Sequence, residues 1–131
     1  KGYRRQQYDY AFDFRTISFD SDKVSSYASF GRTLDLFGDG SIRIAYTPGH
    51  SPGHQSLICR LKENDLVISG DAIYEESKLE PGTSLPGSMY DEHNYKRSLQ
   101  ELLLFRQTYP SAVITAGHDT LFYENAPERW E

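Results

Sequence analysis

His50 and His54 stand four residues apart in YTPGHSPGHQSL, residues 46–57. On a helix that spacing would put both imidazoles on one face, able to hold one metal ion. Pro48, Gly49, Pro52 and Gly53 exclude the helix, because proline has no amide proton for the ladder and glycine is costly within it. The stretch is a stiff loop. His50 alone suffices there as a ligand, with His54 supporting it or capping the strand that follows. Two more residues of ligand type have the same setting. Asp71 follows LVISG and His118 follows AVITAG, so each of the three comes just past an apolar run and beside a glycine: Gly49, Gly70 or Gly117. Imidazole and carboxylate together suit zinc or a similar divalent ion.

Three such side chains meet only if their strands end side by side. Gly38-Asp39-Gly40 is a turn, and Ile42, Ile44 and Tyr46 then alternate as a strand does, up to Pro48. Residues 54–61 and 65–70 read as two strands joined by the polar turn Lys62-Glu63-Asn64, and residues 112–116 as a short buried strand. Between them lie a Pro-, Gly- and Ser-rich loop over 75–88 and a helix over 91–109. Asp91 is that helix's N-cap; Tyr95, Leu99, Leu102 and Leu103 form its apolar stripe, and Pro110 stops it. Strands followed by a helix and another strand predict an α/β layer arrangement. His93, beside the helix start, reads as structural.

Residues 1–32 form an aromatic-rich loop or lid, with Tyr3, Tyr8, Tyr10, Phe12, Phe14 and Phe19 needing another surface to pack on. Tyr8 and Phe12 are candidates to line a substrate's acyl pocket. The 131 residues, with 37% hydrophobic and 25% charged, fit one domain with a modest core. A net charge of −5 argues against nucleic acid, which needs a basic face. No apolar run is long enough to span a bilayer. The single cysteine, Cys59, reads as a small buried hydrophobe, and one cysteine suits the cytoplasm. The chain starts at Lys1 and its one methionine is Met89, which suggests a piece of something longer.

TPGHSPGHQSL, then SGDAIY, then SLQELL, then ITAGHD, in this order, resembles the second half of the metallo-β-lactamase-fold hydrolases over residues 33–120. The nearest likeness is to the N-acyl-homoserine-lactone lactonases that quench quorum signals, because Tyr74 stands three residues after Asp71. The resemblance implies half of an αββα sandwich: a mixed sheet with at least one packed helix. It implies two divalent ions, with zinc the expected metal, His50 on the first, Asp71 bridging both and His118 on the second. Tyr74 would point its hydroxyl at a lactone or ester carbonyl, and His54 and Asp119 would support the ligands from behind. The implied reaction is metal-assisted hydrolysis, in which bound water is activated near neutral pH.

The family's H-x-H-x-D-H loop is missing: the four histidines are His50, His54, His93 and His118. Each ion would then keep one histidine and a shared aspartate, short of the three ligands a catalytic zinc has. The expectation is a C-terminal half that alone binds metal weakly and turns over little. It would pack on a missing N-terminal half or another chain, with a homo-oligomer expected. A glyoxalase-II-like thioesterase would use the same three residues without a special role for Tyr74. A non-catalytic interaction domain is the remaining alternative.

Overall fold

Each apolar alternation that the sequence supplies pairs with the next one along the chain. The computed structural model describes residues 4, 6, 9, 10 and 16–130. Its strands are β1 (Val24–Tyr27), β2 (Phe30–Asp35), β3 (Ile42–Tyr46), β4 (Gln55–Arg60), β5 (Asp65–Ile68) and β6 (Val113–Thr115). They form one six-stranded sheet in sequence order. All neighbours are antiparallel except β5 and β6, which are parallel. A parallel pair needs a crossover, and helix α1 (Glu92–Thr108) provides it. The sheet is mixed with a packed helix, as the α/β reading requires.

Two antiparallel steps separate β3 from β5, and β6 runs parallel to β5, so all three point the same way. Their C-terminal ends therefore share one edge of the molecule. That is what lets His50, Asp71 and His118 arrive together.

Helix α1 begins where expected. Asp91 caps it by accepting the Asn94 N–H at 3.0 Å, and this bond holds the Asp91 carboxyl below its usual range. Its stripe buries Tyr95, and packs Leu99, Leu102, Leu103 and Phe105 against Ala45, Ile58, Val67 and Ile114 of the sheet. Phe30 and Phe105 pack at 5.4 Å between ring centroids. Alternation then puts Leu34, Ile44, Leu57 and Ile68, one cross-strand row, on the opposite face.

The sequence reading differs from the fold in two places. Strands β1 and β2 occupy a stretch read as loop. Their hairpin turn uses Ala28 at φ 51°, a conformation usually given to glycine or asparagine, so the ordinary turn signal is lacking. A short helix α2 (Thr120–Asn125) follows β6, capped by Asp119. Of the expected lid aromatics, Tyr10 is exposed and Phe19 stacks on Tyr46 at 4.8 Å. Tyr3, Tyr8, Phe12 and Phe14 lie outside the described residues. Cys59 is half-buried rather than sealed, and burial pushes its thiol pKa up, with Asp65 adding to the effect.

Candidate metal centre

The loops leaving β3, β5 and β6 are pinned before any ligand is considered. After β3, the Gly49 carbonyl accepts the N–H groups of Tyr90 and Asp91 at 2.9 and 3.0 Å. Ser98 donates to the Pro48 carbonyl at 2.7 Å. Gly49 has φ 137°, and a Cβ there would lie 2.3 Å from the Tyr95 Cα, so no other residue fits. The His50 loop is thereby seated on the first turns of α1. After β5 comes a 3-10 turn, Gly70–Ala72, carrying Asp71. After β6, Gly117 and His118 donate to the carbonyls of Ile73 and Tyr74 at 3.0 and 2.9 Å, fastening the last loop to the second.

These loops bring the three expected residues together. His50 Nε2 lies 3.3 Å from Asp71 Oδ2, and His118 Nε2 lies 3.2 Å from Asp71 Oδ1. One carboxylate thus faces two imidazoles, one on each oxygen. The approach depends on Gly117, where a Cβ would stand 2.4 Å from Asp71 Oδ1. All three side chains remain partly open, with His118 the most exposed at 64%.

His54 is the fourth member, and it grips Asp71 by the main chain. Its Nε2 accepts the Asp71 N–H at 3.1 Å, so its proton sits on Nδ1, which donates to the Thr47 carbonyl at 2.9 Å. Burial lowers the His54 pKa, and the neighbouring His50 adds to that, which keeps the ring neutral and the acceptor free. Behind it, Thr47 Oγ1 pairs with Ser56 Oγ at 2.8 Å, and Ser56 donates to the Ser69 carbonyl at 3.2 Å. This buried chain joins β3, β4 and β5, and Ser69 extends it to β6 by donating its hydroxyl to the Thr115 carbonyl. The sequence reading missed Thr47, Ser56 and Ser69; the only hint was hydroxyl residues inside apolar runs.

Tyr74 places its hydroxyl 3.3 Å from His50 Nδ1 and 3.3 Å from the Ser88 carbonyl. Its ring meets His118 edge-on at 4.9 Å. Burial and then the Asp71 charge raise its pKa, so the hydroxyl keeps its proton and can donate. Asp119 is elsewhere: its carboxylate accepts the N–H groups of Glu76 at 2.9 Å and Phe122 at 3.1 Å. It ties the start of α2 to the loop after Tyr74. His93 is exposed near the start of α1.

Each oxygen of Asp71 already faces one imidazole, which suits a carboxylate shared between two divalent ions. Among the described residues, however, no three His, Cys, Asp or Glu side chains form a group able to hold a single metal ion. The donor types suit divalent ions, and the described residues complete no ion's shell on their own.

The sequence model of the metallo-beta-lactamase superfamily matches residues 2–118. That match begins well upstream of residue 33, where the legible motifs start. N-acyl homoserine lactonase AttM of Rhizobium radiobacter is 38% identical over 140 residues, covering 95% of this chain and 52% of its own. An N-acyl homoserine lactonase of Bacillus cereus is 40% identical over 81 residues, covering 60% of this chain and 30% of its own. The chain spans about half the length of the AttM relative it matches. Among solved structures, an N-acyl homoserine lactone hydrolase with N-hexanoyl-L-homoserine at its catalytic metal centre superposes with a TM-score of 0.63. It is 24% identical and covers 76% of this chain and 39% of its own, a likeness of fold. A quorum-quenching N-acyl homoserine lactone lactonase gives 0.59 at 26% identity, over 70% of this chain and 38% of its own. Motifs, sheet order and the breadth of the sequence match agree: the chain belongs to the metallo-beta-lactamase superfamily.

Proposed function

We propose that the chain supplies one half of a two-ion centre that hydrolyses the lactone ring of N-acyl homoserine lactones. The observation that supports this most is the Asp71 carboxylate, with His50 on one oxygen and His118 on the other. His50 and Asp71 would hold the first divalent ion, zinc by its preference for nitrogen and oxygen donors, and His118 and Asp71 the second. The remaining ligands would come from another segment, of the same protein or of a partner chain, including a second copy. When bound, the ions provide a water activated near neutral pH and a polarising charge at the carbonyl.

The chain's own residues do the positioning. His54 fixes the Asp71 main chain and leaves both carboxylate oxygens to face outward. Tyr74, protonated and beside His50, donates its hydroxyl to the carbonyl oxygen as negative charge develops there. Asp119 steadies the loop that carries Tyr74 through the Glu76 N–H. A lactonase reading is favoured over a thioesterase by Tyr74, which a glyoxalase-II-like site would not employ in this way.

Two measurements test the proposal. The full-length, zinc-loaded protein should open N-hexanoyl-homoserine lactone, and faster than it cleaves a glutathione thioester; the reverse order would favour the thioesterase. The 131-residue chain alone should bind zinc more weakly than about micromolar, as two-ligand sites do. Submicromolar binding of two ions per isolated chain would refute the half-site reading. No hydrolysis of either substrate by the full-length protein would favour a domain kept for interaction.

A further inference from the structure

The turn that carries Asp71 is held at both of its ends by one set of bonds. Before it, the Ser56 hydroxyl donates to the Ser69 carbonyl at 3.2 Å; after it, the Asp71 N–H donates to His54 Nε2 at 3.1 Å. Thr47 joins the two. Its Oγ1 lies 2.8 Å from Ser56 Oγ and 3.0 Å from His54 Nδ1. Thr47, Ser56 and Ser69 are all fully buried, so bulk water does not stand in for a partner that is lost.

The protons of this ring have one arrangement. The Ser69 carbonyl can only accept, so Ser56 spends its proton there and must accept at its own oxygen. Thr47 therefore donates to Ser56 and accepts the His54 Nδ1–H, which it shares with its own carbonyl at 2.9 Å. His54 Nε2 is left bare, and the Asp71 N–H fills it. Turning the Thr47 hydroxyl round would move the imidazole proton to Nε2 and set it against the Asp71 N–H. Gly70 gives the ring its room, since a Cβ there would sit 3.1 Å from His54 Nε2. The Ser69 carbonyl also takes the Ala72 N–H at 3.2 Å, the bond that closes the turn itself.

We propose that the Thr47 hydroxyl is a positioning group for the metal centre. It does not touch the Asp71 carboxylate. Through Ser56 and His54 it fixes residues 69 and 71, and with them the direction in which the carboxylate leaves the turn. The inference rests on the reading of Asp71 as a ligand shared by two ions. Threonine offers two things here, a methyl that packs and a hydroxyl that closes the ring, and substitution separates them. Valine keeps the shape and loses the hydroxyl, whereas serine keeps the hydroxyl and loses the methyl.

The experiment uses the full-length protein with Thr47→Val, Thr47→Ser, Ser56→Ala and the Thr47→Val/Ser56→Ala double variant. In metal-free protein, amide hydrogen exchange at Asp71 should quicken about fivefold in Thr47→Val, the worth of one hydrogen bond, and stay near wild type in Thr47→Ser. Zinc affinity by chelator competition should follow the same order, and the visible spectrum of cobalt-loaded protein should change in Thr47→Val and not in Thr47→Ser. A chain breaks once, so the double variant should lose about as much as Ser56→Ala alone. The opposite order, Thr47→Ser impaired and Thr47→Val like wild type, overturns the proposal and leaves the two-ion reading standing. Losses that multiply in the double variant do the same. If Thr47→Val does not fold, Ser56→Ala decides: faster exchange at Asp71 with weaker zinc binding supports the proposal, and wild-type values overturn it. Wild type that binds no zinc overturns the two-ion reading and this proposal together.

Discussion

His54 holds Asp71 by its backbone: the imidazole accepts the Asp71 N–H at 3.1 Å while its other nitrogen donates to Thr47. The carboxylate that would bridge two ions is therefore aimed without using either of its oxygens. His54→Ala leaves the Asp71 N–H and the Thr47 carbonyl short of a partner in a half-buried place. The expected loss is about 1–3 kcal/mol in chemical denaturation, with zinc affinity of the full-length protein down roughly 10–100-fold by chelator competition. His54→Gln, whose amide can both donate and accept, should recover part of each. Unchanged zinc affinity in His54→Ala would show that the grip on Asp71 is dispensable.

Gly117→Ala tests the same carboxylate from the other side. The added methyl would collide with Asp71 Oδ1 at 2.4 Å and with the Gly70 carbonyl group at 3.0 Å, so Asp71 must turn away from His118. Zinc binding by the full-length protein should drop by at least about tenfold. The circular dichroism spectrum should stay close to wild type, because the collision is confined to one loop junction. Wild-type affinity in this variant would mean that Asp71 has room to spare.

Tyr74→Phe removes one hydroxyl and little packing. A lost donor to a developing oxyanion slows kcat about 10²–10³-fold. KM for the lactone should change much less, since the carbonyl is weakly held before it gains charge. A KM effect with kcat intact would reassign Tyr74 to substrate binding.

Glu101 supplies a pH signature away from the site. Burial raises its pKa, against smaller opposing effects from the Gly31 N–H and Arg97. A carboxyl whose folded pKa lies above its unfolded value contributes stability below the unfolded pKa, near 4.3, and loses it as pH rises through the folded value. Glu101→Gln keeps an acceptor for Gly31 and has nothing to ionise. It should gain on wild type in urea denaturation at pH 7 and lose that advantage at pH 4. An equal difference at both pH values would rule out burial of the charge as the cause.

Much of the centre was legible because each ligand-type residue is announced by an apolar run and a glycine, and because runs of that kind become neighbouring strands. The helix was legible from Asp91, the stripe from Tyr95 to Leu103, and Pro110. What stayed hidden depended on contacts between distant segments. Nothing local says that Gly49 must touch Tyr95, or that Thr47, Ser56 and Ser69 join hands beneath His54. The β1–β2 hairpin was obscured by Ala28, which adopts a glycine-like conformation without being glycine. Helix α2 escaped because six residues are too few to show a period.

The lone parallel pairing among the described strands has a kinetic consequence. Strands β1 to β5 can zip as successive hairpins, whereas β6 must wait for α1 to form and swing back across the sheet. Since His118 rides on that late strand and the His50 loop is seated on α1, Asp71 meets both imidazoles only once α1 has docked. Stopped-flow refolding should therefore show metal capture lagging behind the collapse of the hairpins, and a destabilised α1 should lengthen that delay.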